Sequence, residues 1–195
     1  MKCPRCVQQI HRAAVLCPHC GFRLEDADAL FGNSGRNLAL LSDQAGIFRH
    51  SERYSLENML AGFHAQFPQL FLAVHTDSAG DSAYLRQFGF WILNRCTFEG
   101  LRPEQSSAAG ILIVIDPDLK SASMSFGYLL DAVLTEQDTF ECLTRGHSYW
   151  LKGQYAEGLL RCVEHLRVLL RQRSRQACRR AKKLTKHASG NEVSQ

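Results

Sequence analysis

The 195-residue sequence has no hydrophobic run long enough to cross a membrane. Its longest apolar stretch, residues 108–115, has the length of a strand, whereas a membrane helix needs about 20 apolar residues. The first ten residues, MKCPRCVQQI, contain no apolar signal-peptide core. With 14 glycines, 5 prolines and 45% hydrophobic residues, the chain is neither collagen-like nor largely disordered. These absences predict a cytoplasmic protein with its own core, in contact with a membrane at most peripherally.

Familiar catalytic motifs are also missing. The sequence contains no Gly-x-Ser-x-Gly, no P-loop, no Gly-x-Gly-x-x-Gly and no His-Glu-x-x-His. His64, His147 and His165 fall within helical patterns, which is more typical of packing or surface residues than of ligands. No nucleophile signature is therefore available to define an enzyme class.

Positive charge is concentrated near the C-terminus. Residues 171–186 contain eight basic residues and no acidic one, although the whole chain has a net charge of only +4. Such a segment can bind nucleic-acid phosphates or anionic lipids, or it can be a solvated helix end. No aromatic residue interleaves it, so base stacking is not expected. The candidate contacts for an anionic partner are Arg175, Arg179, Arg180, Lys182 and Lys183.

Four of the eight cysteines lie in the first twenty residues. They form two Cys-Pro-x-Cys pairs, Cys3 with Cys6 and Cys17 with Cys20. Each such turn can bring two thiolates to one tetrahedral Zn²⁺, and Gly21 allows a positive φ after the second pair. The pattern predicts a structural zinc ion whose four protein ligands leave no position for a catalytic water.

A redox pair is the alternative interpretation, but redox Cys-x-x-Cys motifs open a helix after a strand rather than occurring twice in twenty residues. The segment resembles the small zinc-ribbon modules at the start of many bacterial proteins, and the resemblance covers residues 1–24. The other cysteines are scattered singly and are interpreted as reduced, small apolar residues.

Residues 25–36 show neither helical nor strand periodicity and are interpreted as a linker. Helical and strand patterns then alternate to about residue 172. This order predicts an α/β sandwich with a mostly parallel sheet and one antiparallel pair. Strands are predicted at 70–75, 110–116 and 122–127, and helices at about 55–67, 81–96, 128–134, 137–151 and from 154 onward.

Acidic residues follow two of the predicted strands. Asp77 comes after the first and Asp116 ends the second. Parallel sheets bind ligands at the carboxyl ends of their strands, and carboxylates suit Ca²⁺ or Mg²⁺. Helix capping and turn formation are the alternative roles, since aspartate is common in both.

The main domain resembles the TPM domain family over residues 37–172. The residues that carry the resemblance include Trp91, Asp131 and three segments: DQAG at 43–46, AGILIVID at 109–116, and YWLKGQYAEG at 149–158. The resemblance implies an α-β-α sandwich, sometimes with bound calcium, and weak acid-phosphatase activity in part of the family. It also adds Asp43 and Asp131 to the candidate acids.

Two acidic positions usual in the family are absent, because alanine precedes the glycine of the central strand and Gln154 stands within Gly-Gln-Tyr. We therefore expect a non-catalytic adaptor that contacts a protein, a membrane surface or a nucleic acid. The alternative is a phosphatase-like hydrolase using Ca²⁺ or Mg²⁺ at the strand-end aspartates. The predicted organisation is a zinc ribbon at 1–24, a linker at 25–36, a TPM-like domain at 37–172 and a basic tail at 173–195.

Overall fold

The computed structural model describes residues 2–11, 13–33, 35–78, 82–101 and 105–190, without the side chains of 82–83 and 178–190. Two short 3₁₀ turns, Ser107–Ala109 and Tyr128–Leu130, flank two of its strands. The helices are α1 Leu24–Phe31, α2 His50–Gln66, α3 Ser82–Arg95, α4 Glu136–Trp150 and α5 Tyr155–Gly190; the strands are β1 Asn37–Leu38, β2 Leu41–Asp43, β3 Phe71–Thr76, β4 Thr97–Phe98, β5 Gly110–Asp116 and β6 Ser121–Phe126.

The main sheet has four strands in the order β2-β3-β5-β6. Strands β2, β3 and β5 run parallel, whereas β6 returns antiparallel to β5 after a tight turn. Strands β1 and β4 form a separate parallel pair of two residues each. The predicted mixed, mostly parallel sheet is therefore confirmed.

Helices cover both faces of this sheet. On one face, Leu72, Val74 and Ile113 pack with α2, α4 and α5. On the other face, Ala73 and Leu112 pack with α1 and α3. Every residue of β5 is buried, as expected for a central strand covered on both sides. The α-β-α sandwich predicted from the sequence is confirmed.

The predicted linker at 25–36 is wrong in one respect, because its first part is helix α1. The helix begins where the backbone N–H of Arg23 donates to the Asp26 carboxylate over 2.9 Å. Asp28 then accepts hydrogen bonds from Nε1 of Trp91 (3.1 Å) and Nε of Arg95 (2.9 Å), both on α3. The helix depends on these long-range contacts, which local periodicity does not reveal.

The helix predicted at 128–134 is also wrong. Only the 3₁₀ turn Tyr128–Leu130 forms there, because a new helix starts a few residues later. Thr135 caps α4 by accepting the backbone N–H of Asp138 at 3.2 Å, and Asp138 accepts the Thr135 N–H in return. This reciprocal cap fixes the first turn of α4.

No helix within the described residues is long and apolar enough to span a bilayer. The last helix, α5, is apolar along one side up to Leu170. Its residues 171–177 are exposed to solvent.

Candidate metal centre and the carboxyl edge of the sheet

The sulfur atoms of Cys3, Cys6, Cys17 and Cys20 converge within 4.8 Å of one another. The Sγ atoms of Cys3 and Cys20 are 3.7 Å apart, and those of Cys6 and Cys17 are 3.6 Å apart. A tetrahedral ion with Zn–S bonds of about 2.3 Å would separate its sulfurs by about 3.8 Å. The four thiols therefore form a cluster that can hold a metal ion of this size and geometry.

Each Cys-x-x-Cys turn ends on a residue with positive φ. Gly21 has φ +72° and donates its N–H to the carbonyl of Cys17, and Val7 has φ +63° and donates to the carbonyl of Cys3. The prediction for Gly21 is confirmed. The equivalent role of Val7 was not found from the sequence, since valine rarely adopts this conformation.

The thiols differ in acidity because their surroundings differ. Burial raises the pKa of Cys3 to about 12, although backbone N–H groups partly oppose this. Burial also acts on Cys17, but the N–H groups of Cys20 and His19 outweigh it and lower its pKa to about 6. A metal cation would therefore have to displace a proton from Cys3 at neutral pH.

Residues 2–11 and 13–22, which we call the cysteine module, pack against the main domain. Cys3, Cys17 and Phe22 share an apolar cluster with residues of α3. The Phe22 ring meets that of Phe90 edge-on at 6.0 Å. The module also contacts α4, because Nζ of Lys2 pairs with the carboxylate of Glu136.

The parallel strands bring three of the predicted aspartates to one edge of the sheet. Asp43 pairs in register with Thr76, and the N–H of Asp77 donates to the carbonyl of Ile115, next to Asp116. Asp43, Asp77 and Asp116 therefore stand at the carboxyl ends of adjacent strands. Among the described residues, however, only the four cysteines form a cluster of three or more potential metal-ligating groups within 4.8 Å.

The carboxylate of Asp43 is fully buried and accepts four hydrogen bonds. It accepts the backbone N–H groups of Ile47 (3.1 Å) and Phe48 (3.2 Å), the Thr76 hydroxyl (2.6 Å) and the guanidinium of Arg53 (3.0 Å). These four donors hold the loop between β2 and α2 against β3. Asp43 thus has the contacts of a loop-anchoring residue.

The carboxylate of Asp116 serves the turn between β5 and β6. One of its oxygens accepts the backbone N–H groups of Asp118 and Leu119, each at 3.0 Å, and the residue is fully buried. This arrangement is an Asx-type turn. Asp116 therefore orients the hairpin that leads into β6.

Asp77 differs from these two because its side chain is 37% exposed. Its carboxylate accepts the N–H of Ser78 at 2.8 Å and lies 3.6 Å from Nε2 of His75. Burial lowers the pKa of His75, and the nearby Asp77 carboxylate opposes this effect. Nδ1 of His75 has no hydrogen-bond partner within the described part of the chain. These two residues line a cavity of ≈ 100 Å³ together with Arg36, Gln44, Cys96 and aromatic side chains.

Asp131 is separated from the other candidate acids. It follows β6, whose antiparallel direction returns the chain to the amino end of β5, where the N–H of Gly127 donates to the carbonyl of Gly110. Asp131 therefore lies at the opposite edge of the sheet from Asp116, in a groove beside β6.

Of the predicted basic contacts, Arg175 is exposed on α5. The side chains of Arg179, Arg180, Lys182 and Lys183 lie outside the described residues. Closer to the domain, Nη2 of Arg173 contacts the Asp138 carboxylate at 3.1 Å, so this arginine helps to dock α5 on α4.

Comparison with known families identifies the main domain. The sequence model of the TPM domain matches residues 41–168, well over half of the chain, and the protein therefore belongs to the TPM domain family. It combines this domain with an N-terminal cysteine cluster of the zinc-ribbon type. No curated protein matches the chain.

One solved structure shares the fold of this chain. The chain is similar to the N-terminal domain of a protein from P. gingivalis, with 20% identity and a TM-score of 0.52 over 76% of this chain and 91% of that one. A weaker match is the N-terminal domain of the cg2496 protein from Corynebacterium glutamicum, with 11% identity and a TM-score of 0.46 over 80% of this chain and 86% of that one.

Proposed function

We propose that this protein is a non-catalytic interaction module in which a structural zinc ribbon is docked on a TPM domain. The observation that carries this proposal is that the carboxylates of Asp43 and Asp116 hold their own loops in place. Both carboxylates are buried and accept several hydrogen bonds from their own loops. A metal ion or a phosphate ester at this edge would have to compete with those contacts, each of which stabilises a loop.

Zinc suits the cysteine cluster because its ligands are four thiols at tetrahedral spacing. Cys3, Cys6, Cys17 and Cys20 would hold the ion, which would crosslink a segment too short to form a large core of its own. Because four protein ligands complete the shell, the ion would stabilise the cysteine module.

The partner class that we favour is a protein. An anionic membrane surface or a nucleic acid is a further partner that the basic segment at 175–183 could contact. Salt dependence separates these classes, since binding to phosphates weakens steeply as ionic strength rises.

Hydrolysis of p-nitrophenyl phosphate tests the non-catalytic role. We expect the full-length protein to show no turnover that depends on added Ca²⁺ or Mg²⁺ at acid or neutral pH. Turnover that is lost in Asp116→Asn and kept in Asp118→Asn, an exposed neighbour, would contradict the proposal if both variants keep the wild-type circular dichroism.

A phosphatase-like hydrolase that uses a divalent metal ion is the second candidate. Its support is the half-exposed Asp77 beside His75, together with Arg36 at the small cavity. In this case turnover should fall in Asp77→Asn at least as strongly as in Asp116→Asn, because the Asp77 side chain is partly exposed to solvent whereas Asp116 is fully buried.

A further inference from the structure

A groove of ≈ 780 Å³ lies beside strand β6, and we call it the β6 groove. Its volume falls in the range of about 300–1,000 Å³ that is usual for binding sites. The floor is the strand from Ala122 to Phe126, one wall is the start of α4, and the other is formed by the cysteine module through Lys2, Cys3, Pro4 and Gln9.

Strand β6 is an edge strand, because among the described residues β5 is its only neighbour in the sheet. Gly127 and Gly110 form a hydrogen-bonded pair, and such pairs alternate along an antiparallel ladder. Ser125 and Ser123 therefore direct their backbone groups toward β5. The N–H and C=O groups of Ala122, Met124 and Phe126 consequently point away from the sheet.

All three of these outward-facing residues line the groove. Within the described residues, no backbone hydrogen bond joins their outward groups to another segment. The groove floor thus offers alternating donors and acceptors along a strand that spans about 20 Å. Another extended backbone is the chemical group that can satisfy such a row.

The walls of the groove are partly apolar. Phe140 on α4 is 64% exposed, and Phe90 and Leu143 also line the groove. Tyr128 and Leu129, which follow Gly127 at the end of β6, are also more than half exposed, although they do not line the groove itself. Exposed aromatic and aliphatic side chains beside a binding groove favour apolar contacts with an occupant.

The charges of the groove balance one another. Its charged side chains are Lys2, Arg86, Asp131 and Glu136, and Glu136 pairs with both Lys2 and Arg86. A nucleic acid or an anionic membrane would meet no excess of positive charge here. A segment with little net charge and with apolar side chains is complementary to this lining.

We propose that the β6 groove binds an extended, apolar peptide segment of a partner protein, which pairs with β6 as a fifth strand of the main sheet. This inference names the partner of the proposed interaction module and rests on that function. Because the cysteine module forms one wall, the groove is complete only when this module is folded. Binding should therefore also depend on the bound metal.

Short random peptides displayed on phage and selected on the zinc-loaded full-length protein provide the probe. The readout is amide hydrogen exchange with and without the selected peptide. In the free protein we expect slow exchange at Ser123 and Ser125 and faster exchange at Ala122 and Met124. Added peptide should slow exchange at Ala122 and Met124, because a paired strand occupies their outward groups.

Two matched pairs of variants test the geometry. Ala122→Pro removes an outward N–H group, a change that an edge strand tolerates, and it should weaken peptide binding at least tenfold. Ala122→Ser keeps the N–H group, and its peptide affinity should lie within threefold of wild type. Phe140→Ser should also weaken binding, whereas Tyr54→Ser, which removes a similarly exposed aromatic from α2, should not.

Several results would overturn the proposal. The first is that no peptide is enriched, and the second is that the selected peptides bind Ala122→Pro as tightly as wild type. The third is a dimer in which the Met124 amide is protected from hydrogen exchange without any peptide, because a second copy of the chain would then occupy the groove. Turnover of p-nitrophenyl phosphate is measured separately. A protein that shows no phosphatase turnover and binds no peptide therefore contradicts only the proposal that the β6 groove binds a peptide. Metal-dependent turnover contradicts the proposal of a non-catalytic interaction module.

Discussion

The hydroxyl of Thr76 donates a 2.6 Å hydrogen bond to the buried carboxylate of Asp43. The two residues pair in register on adjacent parallel strands, and Arg53 contacts the same carboxylate from α2. This relationship joins β2, β3 and α2 at one point. It explains by structure alone why the DQAG segment carries an aspartate.

Asp43→Asn should therefore destabilise the fold. The amide keeps the shape of the side chain but loses the charge that faces Arg53 and presents one donor where the loop needs an acceptor. We expect a loss of about 1–3 kcal/mol in the free energy of unfolding, as for hydrogen bonds to charged groups. Urea denaturation measures this change.

Asp77→Asn is the matched control, because Asp77 is half-exposed at the same edge. Its effect on stability should stay within about 0.5 kcal/mol, as is usual for exposed sites. Equal losses for the two variants would show that the contacts of Asp43 are not special.

Gly146 lies where α4 packs closely against α5, next to Trp150 of its own helix and Gly158 of α5. A Cβ atom at Gly146 would lie 2.5 Å from Cζ2 of Trp150 and 2.6 Å from the carbonyl oxygen of Gly158. Gly146→Ala should therefore cost about 1–3 kcal/mol through overpacking. Gly62→Ala on α2, where no atom lies within 4 Å of the new Cβ, should be neutral or stabilise by up to about 1 kcal/mol. Urea denaturation of both variants compares them, and a tolerated Gly146→Ala would contradict the described interface.

Val7 bears backbone strain in the first cysteine turn, since its φ of +63° suits glycine. Replacing this valine by glycine removes a conformational strain of about 1–2 kcal/mol. Part of the gain, about 0.5–1 kcal/mol, is lost because glycine gives up more backbone entropy on folding. Val7→Gly should therefore raise zinc affinity modestly, by up to about tenfold, in competition with a chromogenic chelator. Val15→Gly, in the same spacer without a positive φ, should not raise it. If Val7→Gly did not bind zinc more tightly than Val15→Gly, the described turn geometry would be wrong.

The pairing of α1 with α3 should weaken in acid. The hydrogen bonds of Arg95 lower the pKa of Asp28 below its ordinary value. Because the pKa of Asp28 is lower in the folded state than in the unfolded state, the ion pair stabilises the fold at pH values above the unfolded-state pKa of about 3.9. This stability is lost as the pH falls through the folded-state pKa. The melting temperature of Asp28→Asn should therefore lie below wild type at pH 7 and approach it at pH 3. Glu57→Gln, an exposed change on α2, should track wild type throughout, and a gap for Asp28→Asn that stays constant with pH would contradict the ion pair.

The central parts of the fold could be predicted because their signals are local. The unbroken apolar run of β5 reflects burial on both faces, and the spacing of the four cysteines reflects the geometry of one metal ion. The edge position of Asp77 and Asp116 follows from parallel strands. Each of these features needs only neighbouring residues to be recognised.

Other features depend on contacts between distant segments. Helix α1 owes its position to Asp28 and its partners on α3, some 65 residues later in the chain. The donors that saturate Asp43 come from a loop, a strand and a helix. The position of Asp131 did have a signal, since the predicted antiparallel pair returns the chain to the opposite edge of the sheet.

Native mass spectrometry with elemental analysis, before and after the addition of calcium, tests the central claim most directly. The account places one metal ion at the four cysteines and none at the carboxyl edge of the sheet. It therefore predicts one zinc ion per chain and no retained calcium. The zinc should be lost when Cys3 and Cys20 are replaced by serine. A calcium ion retained by wild type and lost in Asp116→Asn would contradict the account, because it would place a metal centre where the aspartates are described as anchoring loops.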